Sequence, residues 1–278
     1  MGSETGTLFL VGTPIGNLGD ITERARETLA AVDIVAAEDT RRTGRLLAHL
    51  GVRARTVSLF EGNERRRSDE LLHALRQGED VAVVSDAGMP GLSDPGFRLV
   101  RMCVEAGIAV RVVPGPSAAI AALVVSGLPT DRFAFEGFLP RRAGDRTARL
   151  ETLASDPRTV VFFESPRRIR AMLEEARRVL GDRRIALARE LTKLHEEVLR
   201  GSVSEVLDRL TDHELRGELV LVVDGARPDE SEPDAAALAD EARRLVDGGL
   251  RPRAAAGEVG RRHGVAPNRI YEELVRRR

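Results

Sequence analysis

Three features of the sequence predict an α/β protein with a small all-helical C-terminal part. From residue 7 to about 113, short β-branched runs alternate with helical patterns, as in a mainly parallel sheet. From 132 to 223 the strand patterns crowd closer together, which points to a mixed sheet. From Asp234 to Arg278 the pattern is helical throughout. With 278 residues, 42% of them apolar, the chain can bury two cores of ordinary size. The divisions expected are 1-115, 116-226 and 234-278, with the polar stretch Gly225 to Pro233 as a linker.

The first strand, over 7–12, runs into Gly12-Thr13-Pro14-Ile15-Gly16-Asn17-Leu18-Gly19-Asp20, and Asp20 with Glu23 reads as the capping box of a first helix. A strand over 33–37 ends in Glu38-Asp39-Thr40-Arg41-Arg42, and a third lies at 56–59. The fourth, over 80–85, ends in a loop of three glycines, two prolines and two aspartates from Ser85 to Gly96. There Asp94 reads as an N-cap and Pro95 as the first helical residue. The fifth, over 109–113, ends in Pro114-Gly115-Pro116-Ser117-Ala118, where a helix to Ser126 begins. Later strands are expected at 132–137, 159–164, 184–189, 198–201 and 218–223, with Ser165 and Pro166 opening the helix after the second of these. The tail reads as a helix over 234–247, a Gly-Gly break, a short helix after Pro252, a turn at His263-Gly264-Val265 and a last helix from Asn268. With Arg269, Tyr271 and terminal arginines it is similar to a helix-turn-helix, although such tails also pack on their own domain.

Loops at the carboxyl ends of parallel strands are where open α/β sheets hold ligands, and four such loops converge on one edge here. Glycine lets the backbone approach a ligand closely, proline stiffens the loop, and Asp86 offers a carboxylate to sugar hydroxyls or a cation. One loop alone reads equally well as an ordinary strand-to-helix turn. Neither a Gly-Lys-Ser/Thr phosphate loop nor Gly-x-Gly-x-x-Gly occurs, which argues against a standard NTPase or dinucleotide fold.

Composition removes further classes. Aromatic residues are 3% with no Trp, so the cores must be aliphatic. The single cysteine, Cys103, lies in an apolar helical pattern and cannot form an internal disulfide. The five histidines show no metal-ligand spacing and no Gly-x-Ser-x-Gly elbow is present, so no metal is expected and acyl chemistry has no foothold. No apolar run reaches the roughly 20 residues that span a bilayer, and no signal pattern opens the chain, which reads as cytoplasmic with no membrane partner. The net charge is −1, yet residues 141–189 carry 13 arginines against 7 acids and residues 243–278 carry 10 against 4. Such segments attract a polyanion or are simply solvated helix faces. Lys193 is the single lysine among 43 basic residues, which hints at a place where a compact ammonium is needed and a guanidinium will not serve.

Leu8 to Leu18, Ala37 to Arg41, Ser85 to Gly96, Pro114 to Ala118, Glu136 to Pro140, Phe163 to Arg168 and Arg189 to Lys193 together resemble the bacterial 16S rRNA (cytidine-2'-O)-methyltransferases of the tetrapyrrole-methylase superfamily. The resemblance runs in order from 7 to about 224, and the tail is similar to that family's small C-terminal domain. It implies two α/β domains, an S-adenosyl-L-methionine (S-adenosylmethionine) cleft between them, a homodimer, and 16S rRNA in the 30S subunit as partner. Carried over by motif, Leu10 and Pro14 line the cleft from the first strand. Asp86, Gly88 and Met89 form the main cofactor loop, followed by Ser117 and Ala118. Phe163, Leu191, Gly217, Glu218 and Leu219 touch the donor from the second domain. The first domain would then face the RNA and the second the cofactor.

Methyl transfer is an in-line displacement in which the protein positions an acceptor oxygen and receives its proton. Glu38, Asp39 and Glu190 are candidate proton acceptors, and Arg41 and Lys193 candidate stabilisers of negative charge. Each also reads as half of a salt bridge holding two strand ends together. Asn17, Arg41, Asn63, Arg141, Arg142, Arg167 and Arg168 suit an RNA backbone, and Phe60 and Phe138 a stacked base. A tetrapyrrole carbon methyltransferase and a ligand-sensing nucleic-acid-binding regulator are the competing readings.

Overall fold

The computed structural model describes residues 5–210, 217–227, 235–263 and 265–276. In the first half β1 (Leu8–Val11), β2 (Ile34–Ala37), β3 (Arg55–Ser58), β4 (Val81–Val84) and β5 (Val110–Val113) form a sheet in the order β3-β2-β4-β1-β5, with every pairing parallel. β2 and β4 are buried along their full length, as central strands covered on both faces must be. Alternation along β1 sends Leu8 and Leu10 to one face and Phe9 and Val11 to the other. α1 (Glu23–Ala31) and α2 (Thr40–His49) cover the second face through Leu29 and Leu47. α3 (Glu64–Arg76) and α4 (Phe97–Glu105) cover the first through Leu71, Leu75, Leu99 and Cys103.

The second sheet is mixed, as its strand spacing suggests. β6 (Phe133–Phe138), β7 (Thr159–Glu164), β8 (Arg184–Arg189), β9 (Glu197–Ser202) and β10 (Leu219–Val223) take the order β6-β7-β10-β8-β9, with only β6 and β7 parallel. α5 (Ala118–Ser126) lays Ala119, Ala122 and Leu123 on one face, while α6 (Ala143–Thr152), α7 (Ile169–Leu180) and α8 (Val203–Arg209) cover the other. Ile15, from the loop after β1, is buried in the α5-side core, so the first half is pinned to the second by an apolar plug. Both sheets lie in one compact unit, residues 1–226, and residues 227–278 form another.

The second unit is a three-helix cluster of α9 (Ala235–Asp247), α10 (Pro252–His263) and α11 (Pro267–Arg276) around Leu238, Ala242, Ala255, Val259, Ile270 and Leu274. A side chain at Gly260 would meet the Val265 carbonyl, so the turn between α10 and α11 is tight. Tyr271 packs on this core with the Arg253 guanidinium 5.3 Å from its ring centroid, a packing role within the unit. Residues 228–234 of the expected linker and helix start, Gly264, the Arg269 side chain, Arg277 and Arg278 lie outside the described residues. No helix among the described residues is long and apolar enough to cross a membrane.

Four helix starts differ from the sequence reading. Asp20 ends a 3-10 turn over Leu18–Asp20, and the N-cap of α1 is Thr22, whose hydroxyl accepts from Ala25 N–H. The helix expected at Ser165 begins at Ile169, because the Ser165 carbonyl first closes a turn onto the N–H groups of Arg168 and Ile169. The helix expected from Asp94 begins at Phe97 with Gly96 as N-cap, and Glu64 Oε1 accepts from Gly96 N–H at 2.9 Å. A carboxylate from a neighbouring helix thus satisfies the N–H of the N-cap itself, no side chain caps the first turn of α4, and Asp94 is left out of the helix start. The last helix opens at Pro267 rather than Asn268, in keeping with proline at the first helical position.

Candidate active site

Because all pairings in the first sheet are parallel, the loops after β1, β2, β4 and β5 emerge at one edge. Two of them are laced together: Thr13 N–H donates to the Gly88 carbonyl at 2.9 Å and Gly88 N–H returns a bond to the Thr13 carbonyl at 3.1 Å. Gly88 holds φ +84°, which glycine adopts without strain. Gly12 and Gly115 are required by space instead. A Cβ on Gly12 would lie 2.6 Å from Gly115 N and 2.8 Å from Met89 Sδ, and one on Gly115 would lie 2.9 Å from Gly12 Cα.

Above this floor lies a cleft of about 440 Å³ between the two sheets. From the first half it is walled by Ile15, Glu38, Arg42 and the loop residues Asp86 to Met89 and Leu92 to Asp94, and the start of the second half adds Ser117 and Ala118. From the second half come Phe138, Phe163 to Pro166 and Gly217 to Val220. Phe163 anchors an aromatic group, with its ring centroid 5.0 Å from Phe135 and 5.6 Å from Phe138. Phe138 leaves 58% of its surface exposed.

Carboxylates dominate the first-half wall. Asp86 accepts from Asp39 N–H at 3.0 Å and faces Arg42 at 3.1 Å, while Glu38 accepts from Asp86 N–H at 3.4 Å, so the ends of β2 and β4 hold each other. Burial raises the Glu38 carboxyl above its ordinary pKa, and the Asp86 charge adds to this against the Asp86 N–H and Arg42. Burial, then the Glu38 charge, pushes Asp94 up to about 6. Glu164 is 3% exposed; it accepts from Ser165 N–H at 2.7 Å and pairs with Arg168 at 3.2 Å.

Lys193 spans the two halves. Its aliphatic stem rests on Gly16, where a Cβ would strike Lys193 Cγ, and its ammonium donates to Glu190 Oε1 at 2.9 Å with Glu218 Oε2 3.5 Å away. Glu190 and Thr192 sit at φ +50° and +67°, a backbone conformation that its surroundings must hold. Glu190 Oε1 also accepts from Glu218 N–H at 3.0 Å and fills the space a side chain at Gly217 would need. The Lys193 hydrogen bond keeps Glu190 below the ordinary carboxylate pKa. Burial lowers the pKa of the Lys193 ammonium, but Glu190 and Glu218 together outweigh it, so the net shift is upward.

Of the residues singled out in the sequence, Glu38, Asp86, Gly88, Met89, Ser117, Ala118, Phe163, Gly217, Glu218 and Leu219 line the cleft. Leu10 packs into the α3/α4-side core, Leu191 is buried with α5, and Pro14 lies half-buried outside the wall. Asp39 points away from the wall, onto Arg41, and this hydrogen bond holds its carboxyl down to about 2. Asn17 caps the 3-10 turn through Gly19 N–H. Asn63 ties its own loop, accepting from Phe60 N–H at 2.9 Å and donating to the Ser58 carbonyl at 3.2 Å. Arg168 donates to the Leu139 carbonyl, whereas Arg141, Arg142 and Arg167 stand exposed with no ion-pair partner among the described residues. Arg42, Leu92, Asp94 and Glu164 also line the wall, although none was a candidate from sequence. Asp94 was concealed by its cap-like Asp-Pro pattern, and Glu164 by its place at the end of an apolar strand.

The sequence pattern of the family Tetrapyrrole (Corrin/Porphyrin) Methylases matches residues 7–207. A protein of Escherichia coli O157:H7 called ribosomal RNA small subunit methyltransferase I is 47% identical over 270 residues, covering 96% of this chain and 94% of that one. One of the same name from Thermotoga maritima is 48% identical over 220 residues, covering 79% of this chain and 99% of its own. Among solved structures, uroporphyrin-III C-methyltransferase from Thermus thermophilus, complexed with S-adenosylhomocysteine, superposes with a TM-score of 0.56 at 23% identity, covering 79% of this chain and 97% of that one. The methyltransferase CobJ gives 0.60 at 21% identity, covering 80% of this chain and 95% of that one.

Proposed function

As the chain belongs to the tetrapyrrole methylase family and to its ribosomal RNA small subunit methyltransferase I members, we propose that it transfers a methyl group from S-adenosylmethionine to the 2'-oxygen of a cytidine in 16S rRNA of the 30S subunit. The observation that carries the reading is the cleft between the sheets, with carboxylates on one wall and apolar and aromatic groups on the other. Its volume of about 440 Å³ suits a ligand of nucleoside size.

The donor, when bound, supplies an electrophilic methyl on a positively charged sulfur. Phe163, Leu219 and Met89 offer contact to a flat ring, and the close approach of Gly12 to Gly115 and Met89 fixes the loops that carry them. The carboxylates suit a cationic sulfur and sugar hydroxyls. Positioning is the main task of such a site, since bringing the two reactants into line removes most of the entropic cost of the encounter. With the division at 115/116, each α/β part supplies one wall. The Thermotoga maritima relative covers only 79% of this chain, so about a fifth of the residues here have no counterpart in it. The family pattern lies within residues 7–207, so the reaction is assigned to the α/β unit.

For the RNA, the reading favours Arg141 and Arg142, just after β6, and Arg167, just after β7. β6 and β7 are parallel, so these arginines emerge at the end of the sheet that bears Phe138 and Glu164. Replacing all three by Ala is expected to make the salt dependence of 30S binding shallower, with the log–log slope smaller by roughly 2–3. Filter binding between low and moderate salt reads this, and an unchanged slope would remove them from the interface. A homodimer is part of the proposal, supported by exposed Val112 on the edge strand β5 and exposed Ile120 and Val124 on α5. Sedimentation should give the mass of two chains, and a monomer at micromolar concentration would refute it. The cell compartment in this reading is the cytoplasm.

The decisive experiment incubates the protein with methyl-labelled S-adenosylmethionine and either 30S particles, naked 16S rRNA or a precorrin. The expected product is one alkali-resistant linkage after a cytidine in the 30S sample. Label appearing only in the precorrin would support a tetrapyrrole acceptor instead.

A further inference from the structure

Transfer to a ribose hydroxyl, the reading on which this section rests, needs a base for the departing proton. Nearly every carboxylate near the cleft already has a backbone N–H or a basic side chain as partner. Asp39 is held by Arg41, Asp86 by Asp39 N–H and Arg42, and Glu38 by Asp86 N–H. Glu164 is held by Ser165 N–H and Arg168, and Glu190 and Glu218 share Lys193. Asp94 alone among the described cleft carboxylates takes neither a backbone N–H nor a basic side chain; the polar group beside it is the Ser85 hydroxyl.

The backbone turns Asp94 inward. Gly91, Ser93 and Gly96 at φ +81°, +64° and +123° fold the loop back so that Leu92, Ser93 and Asp94 all face the cleft. Ser93 is not glycine, so its conformation is held by contacts, and Ser93 Oγ sits 2.9 Å from where a Cβ on Gly137 would be, in the bulge of β6. The second sheet thus braces the loop that presents the carboxylate. The N-cap of α4 is Gly96, with its N–H on Glu64, so Asp94 has no capping duty there.

We propose that the Asp94 carboxylate accepts the proton of the ribose 2'-hydroxyl. As the oxygen–carbon bond forms, the carbon–sulfur bond breaks and its electron pair stays on sulfur, leaving a neutral thioether. The hydroxyl proton moves to Asp94 and then to water. Glu38 acts as a positioning residue, because its negative charge beside Asp94 favours the protonated form. Asp86, backed by Arg42, faces the same space from the end of β4, with Glu164 and Glu218 opposite. A carboxyl at about 6 is ionised near neutral pH yet is a stronger base than an ordinary aspartate.

The test uses the full chain with S-adenosylmethionine and 30S particles in single turnover. Asp94→Asn should slow methyl transfer by at least about 100-fold while S-adenosylhomocysteine affinity, read by calorimetry, stays within about threefold. The wild-type rate should fall on the acid side with a midpoint near about 6, and Glu38→Gln should move that midpoint to lower pH. Melting provides a readout independent of turnover. A folded-state pKa above the unfolded one makes the wild type lose stability as pH rises through that interval, so Asp94→Asn should melt roughly 2–4 °C above wild type near pH 8, with the difference vanishing near pH 4. Asp94→Asn turning over within fivefold of wild type would overturn the proposal. Should that variant not fold, the Glu38→Gln profile decides, and an unmoved midpoint overturns it. A wild type that leaves no alkali-resistant linkage in 16S rRNA overturns the functional reading itself.

Discussion

Gly12→Val should lower the melting temperature by roughly 6–12 °C, following from about 3 kcal/mol of overpacking. The first atoms of the new side chain would fall 2.6 Å from Gly115 N and 2.8 Å from Met89 Sδ. One of these belongs to backbone at the end of a parallel strand and cannot swing aside as a side chain would. The β1 loop must move, and with it the Thr13–Gly88 bridge that sets the cofactor loop. Affinity for S-adenosylhomocysteine should therefore drop by more than about tenfold, over 1.4 kcal/mol. Gly44→Ala is the control: Gly44 is exposed within α2 with nothing within 4 Å, so alanine should add roughly 0.5–1 kcal/mol through helix propensity. If Gly12→Val melted with the wild type and bound normally, the close approach of the two strand ends would not matter to the site.

Lys193→Ala is expected to lower kcat/KM by roughly 10–100-fold, the scale on which small misplacements of a positioned group act. The stem of Lys193 covers Gly16 and its ammonium joins Glu190 to Glu218, so it connects the β1 loop to the start of β10 at the cleft wall. Removing it frees Glu218 and the left-handed turn at Glu190 and Thr192 together. Gly16→Val should do similar damage by displacing the same stem, and the double variant should be little worse than either single one, since both break one contact. Losses that simply add would show that the lysine acts by its charge on the reaction and not by joining the halves. The pH–rate profile of Lys193→Ala should keep its acid limb, because Asp94 is untouched.

Much of this was legible in the sequence. The four loops after β1, β2, β4 and β5, three of them glycine-bearing, converge because apolar, β-branched strands separated by helices pair in parallel, and Gly88, Met89 and Ser117 line the cleft as a result. Lys193 stood out by its rarity, and the structure gives the reason: a narrow stem and a compact cation fit between Gly16 and two glutamates. Asn17, Asn63 and Arg168 show where the reading of residue types stops. Asn17 and Asn63 are taken up within their own turns and Arg168 by the Leu139 carbonyl 29 residues away, and the sequence does not state which polar groups remain for a ligand.

By itself the sequence determined the alternation of strands and helices, the mixed character of the later sheet, and the glycines at the strand ends. All of these follow from hydrophobic period and turn chemistry acting over a few neighbouring residues. Only the tertiary structure decided what each carboxylate does. Asp94 has the local signature of a helix cap, yet the N-cap of α4 is Gly96, whose N–H is taken up by Glu64 32 residues away, and Asp39 and Asp86 are joined across 47 residues. The fate of a charged group depends on which distant donors the fold brings to it and how much water it leaves, and neither quantity is written in the residues beside it.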